Sequence, residues 1–279
     1  MRSPFAFKVF AQNTLFNEQT FLIVPRNQHR GRSKLKIIPV LDILNGVAVH
    51  AVRGKRQNYK PLKSVICASA DPIEVAMAFQ QLGFAELYLA DLDAISRNQP
   101  DMEIVNQIWK ATGLRLMVDA GVTDLERAKD LLATPVSKVV IGTETLRSPS
   151  FVGEAVRFLG SNRIVVSLDL KNGRSLGEFD FDKFPEPLDL LREFQKMGVK
   201  QVIVLDLARV GSGEGVDISF LKKVCEEFDL EVFVGGGVRS LNDILELNSL
   251  GISGVLLATA LHTGGITLNE LKRAGLSLE

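Results

Sequence analysis

The later half of this sequence repeats the earlier half. Ile38-Pro-Val-Leu-Asp42-Ile-Leu-Asn-Gly46 aligns with Val165-Val-Ser-Leu-Asp169-Leu-Lys-Asn-Gly173 at a constant shift of 127 residues. Val118-Asp-Ala-Gly121-Val, continuing to Val140-Ile-Gly-Thr143, aligns with Val234-Gly-Gly-Gly237-Val, continuing to Leu256-Leu-Ala-Thr259, at a shift of 116. Leu89-Ala-Asp91-Leu also matches Val204-Leu-Asp206-Leu. Buried parallel strands share Val and Leu for packing alone. That does not account for an Asp at two strand ends with a Gly four residues beyond each. Two equivalent halves are implied, and a site built on one half has a counterpart in the other.

Within each half, β-rich apolar runs alternate with amphipathic stretches, the pattern of βα units on a parallel sheet. Eight strands are predicted: Ile37–Asp42, Glu86–Asp91, Leu114–Asp119, Lys138–Gly142, Ile164–Asp169, Gln201–Asp206, Glu231–Gly235 and Gly254–Ala258. The intervening stretches carry helix starts. Asp71-Pro72 supplies an N-cap followed by proline at the first helical position, and Ser148-Pro149 repeats the arrangement. Thr123, Ser240 and Thr267 each stand three residues before an acid, in the spacing of a capping box. Eight strands and eight helices predict an α/β fold, a single (β/α)8 TIM barrel with an internal half-barrel repeat. An open doubly wound sheet would carry Gly-x-Gly-x-x-Gly after its first strand, and Asp42-Ile-Leu-Asn-Gly46 is not that fingerprint. The 279 residues suit one barrel of about 250. Residues 36–279 are assigned to it.

Residues 1–35 differ from the rest, with Arg2, Lys8, Arg26, Arg30, Arg32 and Lys34 against the single acid Glu18 and no sustained apolar period. They are expected to lie outside the barrel as a disordered tail or an overlong start, in preference to an organellar presequence, because no clean amphipathic helix is present. Over the whole chain Lys plus Arg and Asp plus Glu both total 33, leaving no basic excess to grip nucleic acid or an anionic membrane. Small molecules are the expected partners, and oligomeric state is left open. The two cysteines, Cys67 and Cys225, fall in core-like patterns, which suits a reducing cytoplasm. With three scattered histidines and no paired Cys spacing, no metal is expected.

Active groups of such a barrel sit at the C-terminal ends of its strands. Glycines there, Gly121 after strand three and Gly235, Gly236 and Gly237 after strand seven, let backbone N–H groups approach an anion. Gly142-Thr143 and Ala258-Thr259 complete the ends of strands four and eight. Each pair of strands is expected to cradle one phosphate near a helix N-terminus. A single strand-end glycine can equally be a turn device, but Gly-Gly-Gly beside Ala-Thr favours phosphate. Asp42 and Asp169 end opposite strands and are candidates for general base and general acid. The alternative is that either caps a loop or pairs with Arg53 or Lys171. Position alone does not select them, since Asp91, Asp119 and Asp206 also end strands; the repeat does. Arg209 lies on the glycine-rich loop after strand six, as a ligand contact on a lid or as a solvated arginine. Trp109, His50 and His262 read as packing or surface residues.

Taken together, Ile-Pro-Val-Leu-Asp-Ile-Leu-Asn-Gly-Val-Ala-Val, Ala-Asp-Leu-Asp-Ala, Val-Ser-Leu-Asp, Gly-Gly-Gly-Val-Arg-Ser and the Gly-Thr and Ala-Thr ends resemble the histidine-biosynthesis barrel family. The similarity spans about Lys36 to Lys272. It implies a cofactor-free Amadori rearrangement of an aminoaldose phosphate, with Asp42 as base, Asp169 as acid and the two cradles holding two phosphates. Val52-Arg53-Gly54 after strand one resembles the ribotide isomerase branch rather than its cyclase sister. There are departures. Leu205 stands where the family has Thr, Val210-Gly211 where it has Asp-Gly, and Ala258 where Gly is usual. Strand three ends Asp119-Ala120-Gly121 instead of Gly-Gly-Gly. An inward Asp119 would repel phosphate unless turned aside or paired. The pattern therefore resembles a divergent branch. The competing expectations are a homologue acting on another phosphorylated metabolite in cofactor biosynthesis and a catalytically silent phosphate-binding barrel.

Overall fold

A computed structural model describes residues 34–97, 100–178 and 186–278. Eight parallel strands form the barrel wall: β1 (Lys36–Leu44), β4 (Glu86–Asp91), β5 (Arg115–Asp119), β6 (Val136–Gly142), β7 (Ile164–Lys171), β9 (Gln201–Asp206), β10 (Glu231–Gly235) and β11 (Gly254–Leu257). Each pairs with its neighbour, and β11 pairs with β1 through Lys36 and Gly254 onward, so the sheet closes and leaves no edge. The expected (β/α)8 barrel is the observed fold.

Side chains alternate across each strand, and that alternation decides what reaches the barrel axis. Ile38, Tyr88, Met117, Val140, Val165, Ile203, Phe233 and Leu256 pack together in the interior. Their neighbours Ile37, Leu87, Leu116, Val139, Ile164, Val202, Val232 and Val255 join the larger core between strands and helices. Two or four residues beyond the interior set, the same face carries Asp42, Asp119, Gly142, Asp169, Leu205 and Gly235. The register of the apolar core thus points these residues into the C-terminal mouth.

The outer layer holds α1 (Pro72–Gln81), α3 (Met102–Thr112), α4 (Leu125–Ala133), α5 (Ser150–Leu159), α6 (Pro187–Lys196), α7 (Ile218–Glu227), α8 (Leu241–Ser249) and α10 (Leu268–Arg273). Phe79 on α1 and Phe194 on α6 are fully buried against the wall. Each such burial contributes roughly 1.5–3 kcal/mol. Asp71 caps α1 by accepting from the N–H groups of Ile73 and Glu74. Thr267 and Glu270 form a complete capping box on α10.

Other starts differ from the sequence reading. α4 is capped by Asp124 rather than Thr123, because the Asp124 carboxylate accepts from Arg127 N–H. Ser240 caps α8, but Asp243 reaches back one residue further, to the N–H and guanidinium of Arg239. α5 begins at Ser150, where no side chain caps it, and the Ser148 hydroxyl bonds to Ser150 instead. β11 ends at Leu257, and Ala258 belongs to the turn before α9 (Thr259–His262).

The periodicity also missed short elements at the mouth. β2 (Val47–His50) and β8 (Arg174–Ser175) fold back antiparallel on β1 and β7, and β3 (Lys60–Pro61) pairs with β2. Asn45-Gly46 and Asn172-Gly173 turn these two hairpins with all four residues at positive φ, as a two-residue primed turn requires. The shared Gly after each Asp is therefore a hairpin device. α2 (Leu92–Arg97) follows β4 directly. The boundary between extension and barrel shifts slightly, since Leu35 is already buried in the core. The expectation for the segment before it falls on residues 1–33, outside the described residues. Among the described residues no helix is long and apolar enough to cross a membrane.

Candidate active site

A cavity of about 920 Å³, counted with its open mouth, lies at the C-terminal ends of the strands. Asp42, Asp119 and Asp169 all line it, with Tyr88, Arg56 and Glu144. The two acids paired by the repeat thus face one opening, and a third joins them.

Asp169 is held on every side. Ser167 Oγ donates to Oδ1 at 2.6 Å, Glu144 N–H donates to Oδ2 at 2.9 Å, and its own N–H donates to Thr143 Oγ1 at 2.9 Å. Burial pushes its carboxyl up to about 7, and the charge of Asp119 pushes the same way. Burial also raises Asp42 to about 7, but here the Arg56 guanidinium pulls down. The Asp42 carboxylate accepts no hydrogen bond among the described residues. Asp119 accepts from Gly121 N–H at 3.1 Å and from Tyr88 Oη at 3.4 Å, and burial holds it at about 6. Tyr88 is raised well above its ordinary value by burial and then by the charges of Asp119, Asp169 and Asp42. It stands among all three.

Neither of the pairings weighed for the two acids accounts for them, because Arg53 is bound to Glu214 at 2.6 Å and Asp169 bonds as just described. The loop-capping role falls to the other strand-end acids. Asp91 accepts from the N–H groups of Ala94 and Asp101, and Asp206 from Ala208 N–H and Arg209 Nε.

Of the predicted phosphate residues, Gly142, Gly235, Gly236, Gly237, Ala258 and Thr259 line the cavity with the acids. The side after β10 is open to a ligand. Gly236 and Gly237 have φ of 83° and 92°, and a Cβ there would strike the carbonyls of Asp206 and Gly215. The N–H groups of Gly236, Gly237 and Val238 have no acceptor among the described residues. Those of Thr259 and Ala260 begin α9, where no intrahelical acceptor exists.

The side after β5 is different. Gly121 packs against α2, so that a Cβ would lie 2.7 Å from Ile95 Cα, and its N–H is taken by Asp119. At Gly142 a Cβ would meet Asp169 Oδ2 at 3.1 Å and Asp119 Oδ2 at 3.3 Å. This glycine makes room for two carboxylates. Thr143 is fully buried and holds Asp169 rather than facing the opening. Arg209 is not among the residues lining this cavity; tied to Asp206 and to the carbonyl of Gly215 at 2.9 Å, it lines a neighbouring pocket that shares Gly235 and Gly236 with it.

Several site residues escaped the sequence reading. His50 is not an ordinary surface residue: its Nε2 lies 2.8 Å from Thr259 Oγ1, which ties the β2 hairpin to the open seat. Asn-Gly after Asp42 was the available signal, since a hairpin there returns the chain to the rim. Arg56 and Glu144, paired at 2.6 Å, and Tyr88 carried no motif. His262 is buried against Phe79, as packing, and Trp109 is 42% exposed.

Fold and site define a class: a (β/α)8 barrel whose mouth places protonatable carboxylates around a small-molecule cavity. Within that class the chain belongs to the histidine biosynthesis protein family, whose model matches residues 36–267. It is 37% identical over 240 residues to an uncharacterized protein of Methanocaldococcus jannaschii, covering 85% of this chain and 97% of that one. A relative from Synechocystis is 32% identical over 247 residues, 86% of this chain and 93% of that protein. One from Methanosarcina barkeri is 31% identical over 238 residues, 84% and 95% respectively. Both are 1-(5-phosphoribosyl)-5-((5-phosphoribosylamino)methylideneamino) imidazole-4-carboxamide isomerases.

Proposed function

We propose that the protein is an aldose–ketose isomerase that carries out an Amadori rearrangement on a phosphorylated aminosugar, with no cofactor, in the cytoplasm. The observation that carries this reading is the convergence of Asp42 and Asp169 on one cavity, each raised by burial to about 7, where a carboxyl can give or take a proton near neutral pH. Asp169, buried beside the negative Asp119, favours its protonated form and is the acid. Asp42, whose carboxyl burial raises and the Arg56 guanidinium pulls back down, is the base.

Asp169 protonates the ring oxygen of the N-glycoside, which opens to an iminium at the first carbon. Asp42 then takes the proton from the second carbon. Protonated Asp42 returns a proton to the first carbon of the resulting enolamine while the enol hydroxyl gives its proton to the Asp169 carboxylate, so the second carbon becomes a ketone and both acids regain their starting states. The phosphate rests on the free N–H groups after β10 and at Thr259. The isomerase names of the relatives support the reaction class.

The test is to incubate purified protein with N-glycosidic aminoaldose phosphates, the relatives' ribotide among them, in deuterated water. Ketose formation with deuterium incorporated at the first carbon is expected. Asp42→Asn and Asp169→Asn should each lose ~10²–10⁴-fold in rate. Full activity in either variant refutes its role, and no turnover of any such substrate favours a silent phosphate-binding barrel.

A further inference from the structure

Resting on that isomerase reading, we infer that the site takes a ligand with a single phosphate, whose far end carries hydrogen-bond donors, an amine or hydroxyls, where a second phosphate would otherwise sit. The repeat gives the barrel two equivalent positions for an anion, one after β5 and β6 and one after β10 and β11. They are no longer equivalent.

After β10 three consecutive N–H groups, of Gly236, Gly237 and Val238, are without an acceptor among the described residues. After β5 one of the three corresponding donors is taken by a carboxylate, and so is a donor after β6. Gly121 N–H is bound by Asp119 at 3.1 Å, and Glu144 N–H by Asp169 at 2.9 Å. The side chain of Asp119 occupies the place that Gly235 leaves clear in the other half, and it is 7% exposed, so it is not turned out to solvent.

Charge points the same way. Among the described residues lining the cavity Arg56 is the only cationic side chain, and it is paired to Glu144. Against it stand the acids Asp42, Asp119, Asp169 and Glu144. A phosphate brought to this end would meet the carboxylates of Asp119 and Asp169, to which Gly121 and Glu144 N–H already donate. A hydroxyl or an ammonium would find acceptors already in place. Among the described residues no group of acids and histidines is arranged to ligate a metal ion, which leaves an organic donor as the fitting occupant.

Isothermal titration with inorganic phosphate counts the seats directly. The full chain is expected to bind one phosphate, and Asp119→Gly, which frees Gly121 N–H, is expected to bind two. In the same assay ribulose 1,5-bisphosphate should bind the unaltered protein no more than about threefold tighter than ribose 5-phosphate, whereas two working seats give tenfold or more. Two phosphates on the unaltered chain, a bisphosphate preference of that larger size, or a folded Asp119→Gly that still binds one phosphate overturns the inference. Because these are binding measurements, they stand apart from the isomerase reading. That reading fails on absent turnover even where one phosphate is counted. Should Asp119→Gly not fold, the phosphate count and the bisphosphate ratio on the unaltered chain still decide.

Discussion

Replacing Asp119 by Asn should make the protein more stable at pH 8 and change it little at pH 4. The Asp119 carboxyl is held at about 6 against 3.8 unperturbed, chiefly by burial. A folded value above the unfolded one means that the folded state binds the proton more tightly. The corresponding stability is complete below the unfolded value and is lost as pH rises toward the folded one. At ~1.36 kcal/mol per pKa unit, roughly two units amount to about 3 kcal/mol, lost mainly between pH 4 and pH 6 and constant above. The amide keeps the shape and both hydrogen-bonding positions but never ionises, so it escapes that loss. Asp169 adds to the gain, since its carboxyl is raised in part by the charge of Asp119. For a domain of this size about 3 kcal/mol corresponds to a rise in Tm of roughly 6–12 °C. Calorimetry at pH 4 and pH 8 reads it. A variant no more stable than its parent at pH 8, or one whose gain is as large at pH 4, refutes the claim that a desolvated charge resides at Asp119.

The acidic limb of kcat/KM should report Asp42, whose carboxyl lies at about 7. Arg56→Gln removes the charge that lowers it, so the limb should move to higher pH, and a limb that stays put would separate Arg56 from the base. Gly236→Ala forces a Cβ onto the Asp206 carbonyl at φ 83°, and it should cost ~1–3 kcal/mol and weaken phosphate binding. Gly46→Ala, at φ 74° with open space around it, should cost ~1–2 kcal/mol and leave phosphate binding unchanged; equal binding losses in both would detach the seat from Gly236. Thr267→Ala breaks the capping box of α10, and urea titration should show about 1 kcal/mol lost.

What could be read from the chain alone followed from periodicity. Buried parallel strands announce themselves as Val, Ile and Leu runs, and the two-residue alternation that packs Ile38 and Val165 into the interior also fixes where Asp42 and Asp169 point. The misses are residues whose position depends on contacts remote in sequence. Thr143 is buried behind the cavity lining, where it accepts from the backbone N–H of Asp169, 26 residues on, and His50 reaches Thr259 across 209 residues. No local pattern encodes such pairs. Arg209 stays out of the cavity lining for a local reason, since Asp206 three residues earlier offers its guanidinium a partner at 2.9 Å. Cap assignments went astray where two acceptors compete, as at Thr123 and Asp124, because the helix begins at Leu125 and the Asp124 carboxylate directly before it accepts from Arg127 N–H.

Asp119 shows why a repeated half can change its chemistry without changing its fold. Its position faces the axis on β5, so whatever stands there touches the cavity and its interior neighbours but none of the contacts between wall and helices. A carboxylate at that place needs only one local donor, and Gly121 N–H supplies it at 3.1 Å from within the same strand end. The donor that would have received an anion from solution is thereby satisfied by the chain itself. The same exchange on β10 would set a side chain against Leu205 Cδ1, 2.8 Å from a Cβ at Gly235, and the Leu205 side chain would have to turn aside. The two strand ends thus differ in what fills the space before the cavity, a carboxylate on β5 and the leucine side chains of Leu205 and Leu256 around Gly235 on β10.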